Sequence, residues 1–380
     1  MSSPLRVLTI GHSYVVGLNQ AIAAEIAKDP NITLTLAAPS FHYGDLRRIH
    51  LERTHHPEYE IVPLKAHLTR WNHVFSYERR KLATLILEGE FDIVHNWEEP
   101  YTYAGYQIAS LTSRTRSRHF FWTAQNIVKH YPWPFSRFER TVFRNSQRWA
   151  ACGELVRQAM VQKGFPETTC RIIPLAVDTG HFRPLQENEK ENVLAELSLQ
   201  RPVIGFMGRL VEEKGLDVLM AALGRLKRDW SLLVLGSGPY ESRLRTWASQ
   251  RGQEDRVRIV LAEHDKVARY LASVDLLVAP SQTRPNWKEQ FGRMATEAFA
   301  CRVPVIASDS GEIPYVVGDA GVILPESDSS AWADAISELL ADNVRRDQLA
   351  QRGYARAMAH YSLTQVASRY LELYAELAGE

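Results

Sequence analysis

Cysteine is scarce in this chain of 380 residues: Cys152, Cys170 and Cys301 share no ligand spacing and form no even set. Neither a disulfide framework nor a zinc site is expected, and a reducing compartment suits such a chain. Long apolar runs are missing too. No stretch reaches the roughly 18 residues of a membrane span, and Met1-Ser2-Ser3-Pro4 leads into a strand-like run without the pattern of a signal peptide. A cytoplasmic protein is the expectation. Nor does either charge dominate: 45 Lys and Arg stand against 44 Asp and Glu, a net +1, so the global basic field of a nucleic-acid binder is absent. Asp-x-Asp, Gly-x-Ser-x-Gly, Cys-x-x-Cys and a Walker loop do not occur. A metal-bound diphosphate, serine hydrolysis and P-loop chemistry therefore lack their usual marks, and no metal is expected.

What is present is an ordinary globular composition, 45% hydrophobic and 23% charged, over a length that suggests two domains rather than one core. Apolar runs alternate with helical stretches, the grammar of a parallel α/β sheet. Leu5 to Ile10 is the first strand, followed by Gly11-His12-Ser13-Tyr14-Val15-Val16-Gly17 and a helical pattern through Ile22 and Ile26. Strand, glycine-bearing loop and helix open a nucleotide-binding fold, although a full Gly-x-Gly-x-x-Gly is lacking. His12 reads as a loop histidine. Further strands are expected at Asp92 to His95, His119 to Thr123 and Arg171 to Ile173. The first two end in loops carrying Glu98-Glu99-Pro100-Tyr101 and Gln125-Asn126, and in an open parallel sheet ligands gather beyond such strand ends. Beyond Pro184 a charged helical segment, Gln186 to Leu199, connects to a second alternation that begins at Val203.

Residues 41–80 are less regular. Arg47, Arg48, His50, Arg53, His55, His56, Lys65, Arg70, His73, Arg79 and Arg80 are interleaved with Phe41, Tyr43, Trp71, Phe75 and Tyr77. The mixture suits a membrane surface or a polar, phosphorylated acceptor. It equally suits a plain solvated face, since Glu52, Glu58, Glu60 and Glu78 are mixed in.

The second half is organised around Pro280 to Ala300. Leu276 to Ala279 is a strand, and a helix is expected to open near Phe291-Gly292, which leaves the amides of Gly292, Arg293 and Met294 without intrahelical partners. Free amides at a positive dipole end favour an anion. Glu289 and Glu297 frame that end, and a carboxylate accepts hydrogen bonds in pairs from adjacent hydroxyls. A ligand with phosphate in the middle and hydroxylated rings at both ends fits, as a nucleotide sugar does; so does an unoccupied, solvated helix. Arg209 and Lys214 follow the strand Val203 to Met207, and Gly236-Ser237-Gly238 follows Leu232 to Leu235.

The wording of this half resembles glycosyltransferase family 4. The match runs from Glu289-Gln290-Phe291-Gly292-Arg293 to Glu297, then Ala300-Cys301, Pro304-Val305-Ile306, Ser308-Asp309-Ser310-Gly311-Glu312-Ile313-Pro314 and Gly318-Asp319-Ala320-Gly321. The resemblance implies a GT-B fold: two Rossmann-like domains with a cleft between them, 1–184 on the acceptor side, joined by the terminal helix 362–380, and 185–361 for the donor. It implies retention of configuration and a nucleotide-diphosphate sugar as donor, with a hydroxyl acceptor. Glu289 and the Phe291-Gly292-Arg293 backbone would then meet the donor sugar and phosphates, Glu297 the ribose, Arg209 and Lys214 the diphosphate, and Gly17 the donor phosphates or acceptor. Fixed cations there stabilise the charge growing on the leaving phosphate, whose oxygen takes the acceptor proton. Residues Ala262 to Val267 would flank the base. Glu99, Gln125 and Asn126 become candidates for holding the acceptor hydroxyl and sugar, in the manner of a branch with Glu-Glu-Pro and Gln-Asn-Ile; as plain residues they would cap helices or bind loop backbone. Many members have His-Asp in place of Gln125-Asn126, and Gly in place of Arg302. A sugar-nucleotide epimerase or hydrolase on the same fold, or a non-catalytic nucleotide-sugar binding protein, would share these features.

Overall fold

The computed structural model describes residues 3–44, 48–53, 58–261 and 264–379. Arg47, His55 and His56 of the basic stretch, and Ala262 and Glu263 beside the expected base site, lie outside the described residues. The chain divides into two compact units, Met1–Ala176 with Leu363–Glu380, and Val177–Ser362. The division falls before Val177 rather than after Pro184. The cause is local: Val177 donates its amide to the Tyr361 carbonyl at 2.7 Å, and Phe182 is only 3% exposed, so the intervening segment packs with the second unit.

The first unit is built on seven parallel strands: β1 (Leu5–Ile10), β2 (Ile32–Pro39), β3 (Tyr59–Leu64), β4 (Ile93–Asn96), β5 (Arg118–Thr123), β6 (Arg148–Ala151) and β7 (Cys170–Ile172). Their order is β7-β6-β5-β4-β1-β2-β3. Helices cover both faces of such a sheet, so its strands read as continuous apolar runs, and the last four residues of β1 are all buried. The chain builds outward from β1 through β2 to β3, then returns to the other side of β1 as β4. Loops leaving β1 and β4 diverge there, which is where an open α/β sheet leaves a crevice for ligands. Helix α1 (Gly17–Ile26) lies against the terminal helix Leu363–Gly379, whose Val366, Ala367, Tyr370, Leu373, Tyr374 and Leu377 are buried with Ile22, Ala23 and Ile26 in one core. Arg171 fastens the far end of that helix through two hydrogen bonds to Glu376, of 3.0 and 2.7 Å. Within 41–80, the described residues form β3 and two short antiparallel pairs, Phe41–Tyr43 with Arg48–His50 and Ala66–His67 with Ser76–Tyr77.

The second unit repeats the plan with six parallel strands: β8 (Val203–Met207), β9 (Ser231–Leu235), β10 (Val257–Val260), β11 (Leu276–Ala279), β12 (Val305–Ser308) and β13 (Val322–Leu324), in the order β10-β9-β8-β11-β12-β13. Its reversal lies between β8 and β11. The connecting segment is helical over Glu187–Glu196, opened by a capping box of Gln186 and Glu189. Helix α2 (Leu216–Leu223) follows the β8 loop and α3 (Arg293–Ala300) follows the β11 loop.

Helix α3 ends in a Schellman turn: the Val303 amide reaches the Ala298 carbonyl at 2.9 Å and the Arg302 amide reaches Phe299 at 2.9 Å. The turn requires a left-handed residue, and Arg302 supplies it at φ 55°. Its guanidinium lies 4.5 Å from the Tyr354 ring centroid. Left-handed backbone costs a non-glycine residue about 1–2 kcal/mol, and a cation on an aromatic face returns about 0.5–1 kcal/mol. Arg302→Gly relieves the first and loses the second, so the unfolding free energy from denaturant titration should stay within about 1 kcal/mol of the parent. Arg302→Val keeps the strain and loses the contact, and should destabilise by about 1 kcal/mol or more. A valine variant as stable as the parent would show that the contact with Tyr354 contributes nothing.

Candidate functional site

In the second unit, the loops leaving β8 and β11 meet at the sheet's reversal point. Lys214 Nζ donates to Glu289 Oε2 at 2.5 Å, and Ser281 Oγ donates to the same oxygen at 2.9 Å. Both side chains are mostly covered, 13% exposed for Lys214 and 11% for Glu289. The ammonium also stands 5.1 Å from the ring centroid of Trp287. The backbone of Glu289 is pinned by its carbonyl, which accepts from the Glu312 amide at 3.0 Å. Further back, the loop is clasped by Glu326, whose Oε2 accepts from the Thr283 amide at 2.6 Å and whose backbone carbonyl accepts from Gln282 Nε2 at 2.5 Å. Arg284 pairs with Glu212 at 2.9 Å, tying the two loops together a second time.

Helix α3 begins where the sequence places it. Gly292 is its N-cap at φ 88° and ψ 44°, a left-handed conformation that aims the following amides out of the loop. Phe291 is 3% exposed and meets Tyr361 edge-on at 5.7 Å, so its side chain belongs to the core and only its backbone is available to a ligand. Arg293 Nε lies 3.0 Å from Glu297 Oε1 one turn on. Burial pushes the Glu297 carboxyl above the usual carboxylate range, and Arg293 opposes that only in part. Arg209, on the β8 loop, is half-exposed and 3.4 Å from Glu213. Arg209, Lys214, Glu289, Phe291, Gly292, Arg293 and Glu297 thus all sit on the two loops beside the reversal point or on the helix that one of them feeds.

In the first unit, Glu99 is taken up by the chain itself. It accepts from Thr123 Oγ1 at 2.6 Å, from the Ala124 amide at 2.9 Å and from Gln125 Nε2 at 3.2 Å. Burial raises its carboxyl. Gln125 Oε1 in turn accepts from the Tyr131 hydroxyl and from Lys163 Nζ, both at 3.2 Å. These bonds tie the β4 loop to the β5 loop, and Asn126 is buried beside them, 8% exposed. Gly17 opens α1, and its amide donates to Glu52 Oε2 at 2.6 Å, so that helix end is met by the chain's own carboxylate.

Sequence reasoning passed over one largely buried ionisable pair of this unit. His12 follows β1, Glu98 follows β4, and His12 Nδ1 lies 2.6 Å from Glu98 Oε2. Glu98 Oε1 also accepts from the His12 amide and the Tyr77 hydroxyl, each at 2.7 Å. Burial works against the charge on Glu98, but His12 and these hydrogen bonds outweigh it and hold the carboxyl below its usual range. The two residues are 86 positions apart. Only the adjacency of β1 and β4 joins them, and the one signal available was that each directly follows a strand.

Of the basic and aromatic stretch, Leu68, Trp71 and Val74 are exposed, 53, 58 and 36% respectively. Among the described residues no helix is long and apolar enough to cross a membrane.

Comparison with known proteins bears on what this arrangement is. Residues 187–356 match the family described as glycosyl transferases group 1, and residues 31–181 match glycosyltransferase family 4. The chain is 34% identical over 198 residues to a GDP-mannose-dependent monoacylated alpha-(1-6)-phosphatidylinositol monomannoside mannosyltransferase of Corynebacterium glutamicum, across 50% of this chain and 52% of that one. It is 35% identical over 217 residues to a D-inositol 3-phosphate glycosyltransferase of Xylanimonas cellulosilytica, across 54% of this chain and 51% of that one. The chain spans about half the length of the curated relatives it matches. Among solved structures, a glycosyltransferase from Rickettsia africae aligns with a TM-score of 0.79 at 18% identity over 99% of both chains. Anabaena HepE in complex with UDP aligns with a TM-score of 0.76 at 19% identity, over 98% of this chain and 100% of that one. At such identity the likeness concerns the fold. Two parallel Rossmann-like sheets, and family matches that between them take in most of the sequence, place the chain among the glycosyltransferases of family 4, with the GT-B fold.

Proposed function

We propose that the chain is a retaining glycosyltransferase that moves a sugar from a nucleotide-diphosphate sugar to a hydroxyl acceptor, without a metal, in polysaccharide, glycolipid or other glycoconjugate synthesis. The observation that carries this reading is the covered Lys214–Glu289 pair at the β8/β11 reversal point, with the α3 N-terminus on the same loop. Lys214, Arg209 and the first amides of α3 offer positive charge and donors to a diphosphate. Glu289, anchored by Ser281, offers its remaining acceptor capacity to sugar hydroxyls, and Glu297 to the ribose. In the first unit Glu99 acts through Gln125 and Asn126, keeping the β4 and β5 loops in register at the acceptor side. Peripheral contact with a membrane surface, through the exposed Leu68 and Trp71 and their basic neighbours, belongs to the same proposal.

Thermal unfolding tests the donor site. UDP, GDP, ADP and dTDP, each alone and as a sugar conjugate, are added to the parent and to Glu297→Ala. A ligand at about 100 times its dissociation constant adds roughly 2.7 kcal/mol, a shift of several degrees. One nucleotide should stabilise the parent selectively, with the effect reduced in the variant. Equal shifts in parent and variant would remove Glu297 from the site, and no shift with any conjugate would count against the donor reading.

A further inference from the structure

The His12–Glu98 pair takes no part in the reaction as described above. It occupies a telling place: His12 leaves β1 and Glu98 leaves β4, the strands between which the first sheet reverses. The corresponding place in the second sheet holds Lys214 and Glu289. Each unit therefore carries one nitrogen-bearing side chain backed by a carboxylate at its reversal point.

The surroundings of the two residues differ. Glu98 is buried, 1% exposed, with both oxygens engaged by His12 and Tyr77. The His12 side chain keeps 29% of its surface exposed, and among the described residues no hydrogen-bond partner faces its Nε2. A carboxylate against Nδ1 keeps the proton on that nitrogen, so in the neutral ring Nε2 presents its lone pair outward. His42, with ring centroids 4.6 Å apart, and Phe75, at 5.8 Å, wall the imidazole on its other sides. An outward acceptor with a fixed tautomer, at the sheet's ligand-binding edge, is suited to receive an O–H donor.

We propose that the first unit carries a subsite for a sugar or polyol in which His12 Nε2 accepts a hydrogen bond from a substrate hydroxyl, with Glu98 as the positioning residue. This rests on the glycosyltransferase reading and names the group that would hold its acceptor. The groups facing His12 are Glu98, Glu99, His42 and, through Glu98, Tyr77 and Tyr14. Burial pushes the imidazole down, but Glu98 and then Glu99 more than offset it, leaving the pKa above 6.5. His42, held down to about 4 by burial and by His12, stays neutral at working pH. Burial keeps both tyrosines neutral as well. Hydroxyl binding needs the neutral ring, so it is present above the raised pKa and is lost as pH falls through it. The stabilising pull of charged His12 on Glu98 runs the other way: it is full below the unfolded-state value and is lost as pH rises through the folded one.

The test uses the full chain with histidine labelled at Cε1, the His12 signal being assigned by its loss in His12→Asn. Methyl α-mannopyranoside, methyl α-glucopyranoside, myo-inositol and inorganic phosphate are the probes. The His12 titration midpoint should lie above 6.5 and fall in Glu98→Gln, and at least one polyol should move the signal in the parent but not in Glu98→Gln. With the nucleotide sugar picked out by thermal unfolding, His12→Asn should raise the acceptor KM about ten-fold, the worth of one hydrogen bond, with nucleotide stabilisation unchanged. Tyr77→Phe removes one bond to Glu98 without touching the ring and should give a smaller change in the same direction. A signal moved by phosphate alone, or by no probe, overturns the proposal, as does an unchanged KM in His12→Asn. Absence of nucleotide stabilisation in the parent would sink the donor reading, and the polyol titration would still decide His12.

Discussion

Glu289→Gln should lower sugar transfer by about 10²- to 10³-fold, the loss typical of a preorganised polar group acting on the reacting centre, while nucleotide affinity stays close to that of the parent. Glutamine preserves the shape of the side chain and one carbonyl oxygen, so Ser281 and Lys214 can still find an acceptor. What it removes is the negative charge beside Lys214. In the parent, that charge holds the ammonium in a fixed position in a mostly covered site, 13% exposed for Lys214 and 11% for Glu289. A covered cation that loses its counter-charge is held less firmly and can turn toward water, which withdraws Lys214 from a diphosphate whose charge increases as the sugar departs. Ground-state binding depends on many donors, including the amides of α3, and suffers less. The measurement is a comparison of initial transfer rates and nucleotide-induced thermal shifts in parent and variant. Transfer at the parent's rate would take Glu289 out of the reacting centre; rate and affinity lost together would make it a general ligand-binding group.

How far the sequence leads depends on how local the signal is. The strands at 93–96, 118–123 and 170–172 were expected to within one residue, because each is an apolar run bounded by polar groups. β6 was not expected: Arg148-Trp149-Ala150-Ala151 contains no β-branched residue, and its extended form comes from parallel pairing on both sides, with β5 and β7. The antiparallel pairs within 41–80 are two or three residues long per strand, below the length at which alternation can be read. The turn of α3 at Gly292 and the apolar face of the terminal helix were legible, since both follow from spacing along one element. The site divides the same way. Lys214 and Glu289 were marked by family resemblance, yet their direct bond spans 75 positions and depends on β8 lying next to β11. Glu99 was marked as either an acceptor ligand or a binder of loop backbone; its oxygens face Thr123, the Ala124 amide and Gln125, partners 24 to 26 positions away that a linear reading does not name. For Glu98 and His12 the separation is 86 positions, and an isolated loop histidine carries no mark of a partner that far away.

The meeting of the β8 and β11 loops can itself be broken with one methyl group. Gly215 is in the left-handed region at φ 71°, caps α2 directly after Lys214, and approaches the other loop so closely that an added β-carbon would stand 1.7 Å from the Pro280 carbonyl oxygen. Gly215→Ala should therefore pay twice, about 1–2 kcal/mol for the conformation and about 1–3 kcal/mol for the overlap. A total near 3 kcal/mol corresponds to a fall in Tm of roughly 6–12 °C for a domain of this size. Gly252 separates the two causes: it too is left-handed, at φ 60°, but nothing lies within 4 Å of an added β-carbon. Gly252→Ala should lose only the conformational part. Relieving the overlap by moving the β8 loop away from Pro280 carries Lys214 with it, away from Glu289. Folded Gly215→Ala protein should accordingly show weaker nucleotide stabilisation and slower transfer, whereas Gly252→Ala keeps both. Equal losses of stability in the two variants would mean that the Pro280 carbonyl yields freely, and that something other than this contact sets the Lys214–Glu289 pair.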